Sequence, residues 1–287
     1  MKILAIGDFH GEFPEKFKKI IKSEKIDLVV SNGDYPPFHY RKLWFKHCFG
    51  KGVSLWEVIG KKEYKRIIQK ENAITLKCLK KINRLPIPII SVLGNIDDPE
   101  YNDYVDFKKY YKLWKSKPKR WFFADESFVT PIIKKLKNIK LFDYNFTKFG
   151  DYFFIGARGG TNPGQVRSKA YKKHRKILGK LFKKFAKENK EGRVIFVSHN
   201  VPYNTKLDKL SMKANKIVRG KHYGSKLIRR IINTYQPIIH IGGHIHEGRG
   251  KQKIGKTLAI NPGAAHEGQC AIITLEENKK PKVKFIK

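Results

Sequence analysis

The sequence predicts an α/β fold, and two observations carry this prediction. Short apolar runs of strand length end at Gly or Ser beside Asp, Asn or His, and segments with helical periodicity separate them. The chain has 287 residues, enough to bury a large core. Ligands of open α/β sheets bind where the carboxyl ends of the strands meet their loops. The polar strand ends are therefore expected to converge on one site.

The first half of the chain repeats the order strand, loop, helix. "KILAIGD" predicts a strand, and "EFPEKFKKIIK" predicts a helix because its apolar residues recur at helical spacing. "IDLVVSNGD" predicts a second strand that ends at Asp34, and "PIPIISVLGNID" a third that ends at Asn95. Between these two strands, a helix is expected around residues 59 to 84.

The second half continues the pattern. "RVIFVSHN" and "PIIHIGGHIH" predict a fourth and a fifth strand, and residues 168–189 and 225–235 predict helices with one apolar face each. Near the end of the chain, "KTLAINPG" and "QCAIITLE" are expected to be paired strands around a turn.

The chain is expected to form a single domain over residues 1–287, because no long Gly/Ser or Pro linker divides it. Residues 35–85 and 101–125 are interpreted as insertions or lid elements. Residues 35–58 are aromatic and basic without a clean period, and residues 101–123 carry an aromatic stripe with lysines between the rings. Such a stripe is more often a packing face than a base-stacking platform.

Charge is the strongest compositional feature: 62 Lys and Arg stand against 25 Asp and Glu, a formal net charge of +37. This surplus repels itself unless salt or a polyanion screens it, so the composition favours a nucleic acid or another phosphorylated partner. Adaptation to a high-salt or nucleic-acid-rich cytosol, with no specific partner, is the alternative. The richness in Lys and Ile is typical of proteins from heat-loving archaea, although the usual pattern adds Glu as well.

The sequence contains no apolar stretch of membrane-spanning length, and its N-terminal segment has Asp8 and His10 where a signal peptide would stay apolar. A cytoplasmic protein with no membrane partner is therefore expected. Three widely spaced cysteines argue against both a disulfide framework and a cysteine zinc site.

The predicted strand ends present oxygen and imidazole donors. In "GGHIH", His244 and His246 are two residues apart and point to the same side of an extended segment. Singly, such residues are more often hydrogen-bonded core or surface groups. The full set would serve two metal ions if one carboxylate bridges them: Asp8, His10, Asp34, Asn95, His199, His244 and His246. A two-metal centre suits phosphate-ester hydrolysis, and mixed nitrogen and oxygen ligands suit Mn, Fe, Co, Ni or Zn.

These motifs resemble, in order, those of the calcineurin-like metallophosphoesterase superfamily. "GDFHG" matches its DxH block, "NGD" its GD block, "GNID" its GNH(D/E) block, "SHNVP" its single-histidine block and "GGHIH" its GHxH block. "GARGGTNPG" is similar to a Gly-rich stretch of the cyclic-nucleotide-phosphodiesterase-like branch. The resemblance covers nearly the whole chain, since "NPGAAHEGQCAIITL" is similar to the closing strands of the family.

The resemblance implies a sandwich of two mixed β-sheets flanked by helices, with a basic aromatic insertion. It further implies that two divalent transition-metal ions, Mn in the first place, share Asp34, and that a bridging hydroxide attacks phosphorus. One ion would be held by Asp8, His10, Asp34 and His246, the other by Asp34, Asn95, His199 and His244. Asn95 and His199 would also orient the phosphoryl group, so Asp34, Asn95 and His199 are the expected catalytic residues.

One position departs from the family pattern. Many members have a histidine after the GN pair, which acts on the leaving-group oxygen, whereas this chain has Ile96. General acid help is worth about 10² to 10⁴ in rate, so phosphodiesters and other substrates with stabilised leaving groups are expected to be preferred over alkyl monoesters. Asp97, His222 and His266 are candidate substitutes, although each is first expected to be a surface residue.

The predicted function is that of a metal-dependent phosphoesterase, with a phosphodiesterase favoured and a nucleotide, RNA or DNA as substrate. Residues 205–230 contain nine Lys or Arg and one acid, Asp208, and Arg158 and Arg167 are candidate phosphate contacts. The alternative is a weak or inactive scaffold of the same fold that binds nucleic acid or protein. A P-loop or Rossmann protein is excluded because "GARGG" lacks both glycine spacings.

Overall fold

The computed structural model describes residues 1–49, 51, 53–98, 121, 123, 126–159, 166, 168–214, 216 and 218–287. It confirms the predicted α/β class and the sandwich: two mixed sheets of six strands each pack face to face, with helices on their outer sides. No helix within the described ranges is long and apolar enough to cross a membrane.

Four neighbouring strands of the first sheet pair in parallel, and the other two join the sheet by antiparallel pairing. Its strands, numbered in chain order, are β1 (Lys2–Ile6), β2 (Leu28–Ser31), β3 (Ile89–Ser91), β4 (Ile139–Leu141), β11 (Cys270–Thr274) and β12 (Lys282–Ile286). They lie in the order β12-β11-β1-β2-β3-β4, so the predicted strands that end before Asp8, Asp34 and Asn95 are direct neighbours.

The second sheet has a parallel centre and one antiparallel strand at each edge. Its strands are β5 (Phe146–Phe149), β6 (Tyr152–Ala157), β7 (Val194–Asn200), β8 (Ile239–Gly243), β9 (Gly250–Ile254) and β10 (Thr257–Asn261). They lie in the order β5-β6-β7-β8-β10-β9. The histidine-bearing ends of β7 and β8 are therefore adjacent.

Eight α-helices lie in the described ranges. The four predicted helical segments are all helical, the one over residues 168–189 being divided at Phe185, and three further helices were not predicted. They are α1 (Lys16–Ser23), α2 (Arg41–His47), α3 (Leu55–Ile59), α4 (Lys61–Asn83), α5 (Val129–Ile133), α6 (Lys169–Lys184), α7 (Ala186–Lys190) and α8 (Lys226–Tyr235). Ser168 and Ser225 begin α6 and α8 by accepting hydrogen bonds from backbone N–H groups of the first turn, as N-cap serines do.

Three apolar layers hold the sandwich together. Alternate residues of one strand serve different layers: Ile3 and Ala5 of β1 pack between the two sheets, whereas Leu4 and Ile6 pack under the helices that cover the first sheet. The second sheet is covered in the same way by α6 and α8. Because both faces of the central strands are buried, these strands are continuous apolar runs in the sequence.

The predicted pairing of the last two strands of the core is wrong. β10 pairs with β8 and β9 in the second sheet, whereas β11 pairs with β1 and β12 in the first. The segment between them crosses from one sheet to the other instead of making a hairpin. As a result, "NPGAAHEG" passes over the strand ends, where Ala265 donates its backbone N–H to the Gly7 carbonyl oxygen at 2.8 Å.

The segment of residues 35–85 folds as α2, α3 and α4 beside the first sheet. Glu71 of α4 is buried, and its carboxylate accepts hydrogen bonds from the backbone N–H groups of Phe38 and His39. This carboxylate fixes the loop that leaves Asp34. Of the second predicted insertion, residues 101–125, only Trp121 and Phe123 fall in the described ranges.

Candidate metal centre

The polar strand ends converge where the two sheets meet. Two groups of predicted donors form there, and in each group the ligand atoms lie within 4.8 Å of one another. The first group is Asp8, His10 and His246, and the second is Asp34, His199 and His244. Asn95 joins the second group, since its Oδ1 lies 2.8 Å from Nε2 of His199. The structure therefore brings together all seven donors predicted from the sequence.

Four of these donors sit on strained backbone. Asp8, His10, Asp34 and His244 have φ values of 55°, 44°, 59° and 70°, in the left-handed region that residues with a side chain rarely adopt. Such positions cost about 1–3 kcal/mol each and are found mainly at functional sites. Hydrogen bonds between the loops compensate: Asp8 N–H donates to the Gly33 carbonyl, and His244 N–H donates to Oδ2 of Asp8.

Backbone carbonyl groups fix the tautomers of two histidines. Nδ1 of His10 donates to the Pro36 carbonyl oxygen at 3.3 Å, and Nδ1 of His199 donates to the Asn32 carbonyl oxygen at 2.7 Å. A carbonyl oxygen can only accept, so each Nδ1 carries a proton and each neutral ring presents a lone pair on Nε2. Metal-binding histidines are oriented by their other ring nitrogen in this way.

The ligand atoms of the histidines lie close together, at distances that would allow them to bind a common cation. Nε2 of His10 lies 3.3 Å from Nε2 of His246, and Nε2 of His199 lies 3.2 Å from Nδ1 of His244. Oδ1 of Asp8 is buried and lies 3.4 Å from Nε2 of His246. Buried imidazole and carboxylate groups at such short separations fit divalent transition metals.

Burial and neighbouring charges shift the pKa values of the site in opposite directions. Burial opposes ionisation of Asp8, but pairing with His246 outweighs it and lowers the pKa of this carboxyl. Burial also disfavours the charged form of His199 and His246, yet the carboxylates of Asp8 and Asp34 raise the pKa of both rings. In His244, burial and the charge of His199 lower the pKa to about 3, so this ring is neutral.

Asp97 has a role that the sequence analysis missed. It is only 3% exposed, and its carboxylate accepts hydrogen bonds from the backbone N–H groups of Asp34, Tyr35 and Gly94. Burial and the charge of Asp34 raise its pKa to about 7. The expectation that Asp97 is a surface residue is therefore wrong. Its carboxylate holds the loop of Asp34 and Tyr35 against the loop of Gly94.

The other two candidates for the missing leaving-group residue differ in position. His222 donates from Nδ1 to the buried carboxylate of Asp208 at 2.8 Å and belongs to neither of the two groups formed by the seven donors. His266 lies at the centre, where Nδ1 donates to the backbone carbonyl oxygen of Asp8 at 2.9 Å.

Of the two arginines predicted to contact phosphate, the structure describes Arg158 and not Arg167. Arg158 is half-buried and precedes Gly159, which packs so tightly that an added Cβ would lie 2.6 Å from the backbone nitrogen of Asn95. Arg167 lies outside the described residues. A further basic residue, Arg41 at the start of α2, was not singled out from the sequence. Its positive charge acts to lower the pKa values of His244 and His246.

Metal ions are expected to stabilise the protein. Addition of Mn²⁺ to chelator-stripped protein at about 100 times Kd should stabilise the native state by about 2.7 kcal/mol and raise Tm by about 5–10 °C, because the folded chain alone assembles the donors. Differential scanning fluorimetry measures this shift, and Ca²⁺, which prefers all-oxygen sites, should give a smaller one. A Tm that does not move while the protein takes up Mn²⁺ would contradict a site formed by folding.

Comparison with known proteins agrees with the geometry. The family model described as calcineurin-like phosphoesterase matches residues 1–248, which include all seven donors. The chain belongs to this family. The segment that carries His266 follows the matched region.

Similar proteins cover nearly the whole chain. The protein named "Uncharacterized protein MJ1162" of Methanocaldococcus jannaschii is 26% identical over 265 residues, which cover 91% of this chain and 88% of that protein. A solved structure with 21% identity and a TM-score of 0.64 covers 99% of this chain and is itself covered to 98%. GAP50, the anchor in the inner membrane complex of Plasmodium, is 14% identical with a TM-score of 0.51, over 100% of this chain and 84% of its own. These two structures share the fold.

Proposed function

We propose that the protein is a metal-dependent phosphodiesterase with a dinuclear centre. The observation that supports this most directly is the pair of adjacent donor groups at one edge of the sandwich, each with imidazole nitrogens and a buried carboxylate. Asp8, His10, Asp34 and His246 would hold one ion. Asp34, Asn95, His199 and His244 would hold the other, with Asp34 shared and Mn the metal proposed first.

Two cations held by these residues would supply a nucleophilic hydroxide near neutral pH and would neutralise charge on the phosphoryl group. The chain supplies position. The Ile96 backbone N–H donates to Oδ1 of Asp34 at 3.1 Å, which leaves Oδ2 directed towards His199, 3.5 Å from its Nε2. Asn95 offers an amide beside the same ring, where it can orient a phosphoryl oxygen. Asp34, Asn95 and His199 are therefore the proposed catalytic residues.

The basic segment of residues 205–230 supports a nucleotide or nucleic-acid substrate. Its single carboxylate, Asp208, is fully buried and accepts hydrogen bonds within the loop. The surface of this loop is therefore positive, with Lys206, Lys209, Lys213, Lys216, Arg219 and Lys221 exposed. The carbonyl oxygen of Leu207 packs closely against Gly248, which follows His246 by two residues. A Cβ added to Gly248 would lie only 1.9 Å from this oxygen. The positive loop thus adjoins the site, and Arg158 and Arg167 are proposed as further phosphate contacts.

Hydrolysis of bis(p-nitrophenyl) phosphate by chelator-stripped protein tests the proposed reaction. The activated diester needs little protonation of its leaving group, so Ile96 does not hide a working centre. We expect activity to return with Mn²⁺ and to be abolished by renewed chelation. Absence of hydrolysis with Mn, Co, Ni, Fe and Zn, despite measured metal uptake, would reject it.

Ile96 is expected to make the enzyme selective for good leaving groups. Wild type should hydrolyse the nitrophenyl diester readily and an alkyl monoester such as glycerol 2-phosphate poorly. Ile96→His should raise the rate on the alkyl monoester by about tenfold or more, within the range of general acid catalysis. Ile96→Leu, which changes shape without adding an imidazole, is the matched control. Equal wild-type rates on the two substrates would contradict the leaving-group argument.

A scaffold that binds nucleic acid or protein is the second candidate, and Ile96 is the observation that favours it. Binding of single-stranded RNA separates the two. An enzyme that acts on RNA should bind it with an affinity that falls steeply with salt and should also cleave it when metal is present. Salt-dependent binding without metal-dependent cleavage of RNA or of the nitrophenyl diester would favour the scaffold.

A further inference from the structure

His266 lies at the centre because the link between β10 and β11 crosses over the strand ends. Its ring centroid is 4.9 Å from that of His10 and 5.4 Å from that of His246. The two pairs of histidines that belong to one donor group have similar separations, 5.2 Å for His10 and His246 and 5.1 Å for His199 and His244. The ring of His266 is thus about as close to the rings of His10 and His246 as these two rings are to each other.

The tautomer of His266 is fixed like those of His10 and His199. Its Nδ1 donates to the Asp8 carbonyl oxygen at 2.9 Å, so the neutral ring presents its lone pair on Nε2. Ligand atoms of His246, His266 and Glu267 lie within 4.8 Å of one another. A neutral ring oriented by a backbone carbonyl is prepared to bind a cation through Nε2. In this state it has no proton on Nε2 to give to a leaving group.

The backbone around His266 is anchored to the loop of Asp8. Ala265 donates its N–H to the Gly7 carbonyl, and the His266 N–H is directed at the Asp8 carbonyl at 3.4 Å. Oε2 of Glu267 accepts a hydrogen bond from Nε2 of Gln269 at 2.8 Å, and Oε1 of Glu267 lies 4.0 Å from Nε2 of His266. Nδ1 and the backbone N–H of His266 are thus both directed at the carbonyl oxygen of the buried Asp8, and this contact sets the direction of Nε2.

We propose that His266 is an additional metal ligand, which binds through Nε2 the ion held by Asp8, His10, Asp34 and His246. This assignment rests on the proposed function, which places an ion there. It makes this end of the centre richer in imidazole than the Asn95 end, with three rings against two. Imidazole favours Fe, Co, Ni and Zn over Mn, so the two positions should differ in metal preference.

Cobalt binding to chelator-stripped protein tests this ligand without substrate. His266→Asn keeps a donor at the position of Nδ1 for the Asp8 carbonyl and removes Nε2. His222→Asn is the matched control, because His222 also donates from Nδ1 but lies outside both donor groups. Titration calorimetry gives stoichiometry and Kd, and the visible spectrum of Co²⁺ reports its coordination.

Two ions should bind to wild type and to His222→Asn with the same affinities and spectrum. In His266→Asn, one of the two should bind at least about tenfold more weakly, as changes to oriented metal ligands do, and the spectrum should change. Equal affinities and spectra in His266→Asn and wild type would overturn the assignment. If His266→Asn also lost hydrolysis of alkyl esters in that case, His266 would contact the substrate instead of the metal.

A crystal structure of cobalt-loaded wild type keeps the assignment testable if His266→Asn folds poorly. Nε2 of His266 is expected about 2.0–2.2 Å from one cobalt ion, and a separation above about 3 Å would overturn the ligand. If wild type hydrolyses the nitrophenyl diester but His266 does not bind a metal ion, only the assignment of His266 is wrong. If wild type binds no cobalt, the proposed function is rejected as well.

Discussion

Replacement of Asp34 by Asn is expected to lower kcat for the nitrophenyl diester at least about a thousandfold, which corresponds to about 4 kcal/mol. Asp34 faces His199 with one carboxylate oxygen and is the carboxylate shared by the two proposed metal positions. An amide carries no charge and is a poor bridge between two cations, so both the hydroxide and the phosphoryl group lose their electrostatic support. Steady-state kinetics with saturating Mn²⁺ measures the loss.

Asp151→Asn is the matched control for this substitution, since Asp151 is an exposed carboxylate in the turn between β5 and β6. Its kcat should equal that of wild type. The metal-free Asp34→Asn protein should remain folded, because the amide oxygen can still accept from the Ile96 N–H and a buried charge has been removed beside Asp97. Activity of Asp34→Asn within tenfold of wild type would show that the reaction does not depend on this carboxylate.

Gly33→Ala is expected to be the most destabilising single-methyl substitution at the centre. Gly33 has a φ of 85°, and a Cβ added there would lie 2.1 Å from the Gly94 backbone nitrogen and 2.7 Å from Oδ2 of Asp97. The left-handed backbone costs about 1–2 kcal/mol with a side chain, and overpacking adds about 1–3 kcal/mol. Urea unfolding should therefore show a loss of about 2–5 kcal/mol.

Gly150→Ala separates backbone strain from the close approach. Gly150 also has a positive φ, 55°, but nothing lies within 4 Å of an added Cβ. Its loss should stay near the strain cost, about 1–2 kcal/mol. If Gly33→Ala and Gly150→Ala were equally stable, the tight contact between the loops of Asp34 and Asn95 would not matter for folding.

The strands and the seven donors were predictable because buried strands leave a strong pattern. Both faces of β1, β2, β7 and β8 are covered, so each strand is an apolar run that stops where a polar residue enters the site. The order of the blocks then indicated the family, and the structure placed every predicted donor in one of two adjacent groups.

The link between β10 and β11 could not be predicted from local pattern. Two apolar runs around "NPG" have the pattern of a hairpin whether they pair with each other or with other strands, because alternation does not encode the partner. The positions of His266 and Asp97 depend on such long-range choices. His266 reaches Asp8 only because β11 joins the first sheet, and Asp97 is buried only because two loops close over it.

Electron paramagnetic resonance of the Mn²⁺-loaded protein, with metal content measured on the same sample, tests the dinuclear centre most directly. The proposed sharing of Asp34 places two ions about 3.5–4 Å apart. At two Mn²⁺ per chain, we predict a spin-coupled signal that Asp34→Asn converts to the signal of isolated Mn²⁺. A stoichiometry of one, or two magnetically isolated ions in wild type, would contradict the dinuclear centre.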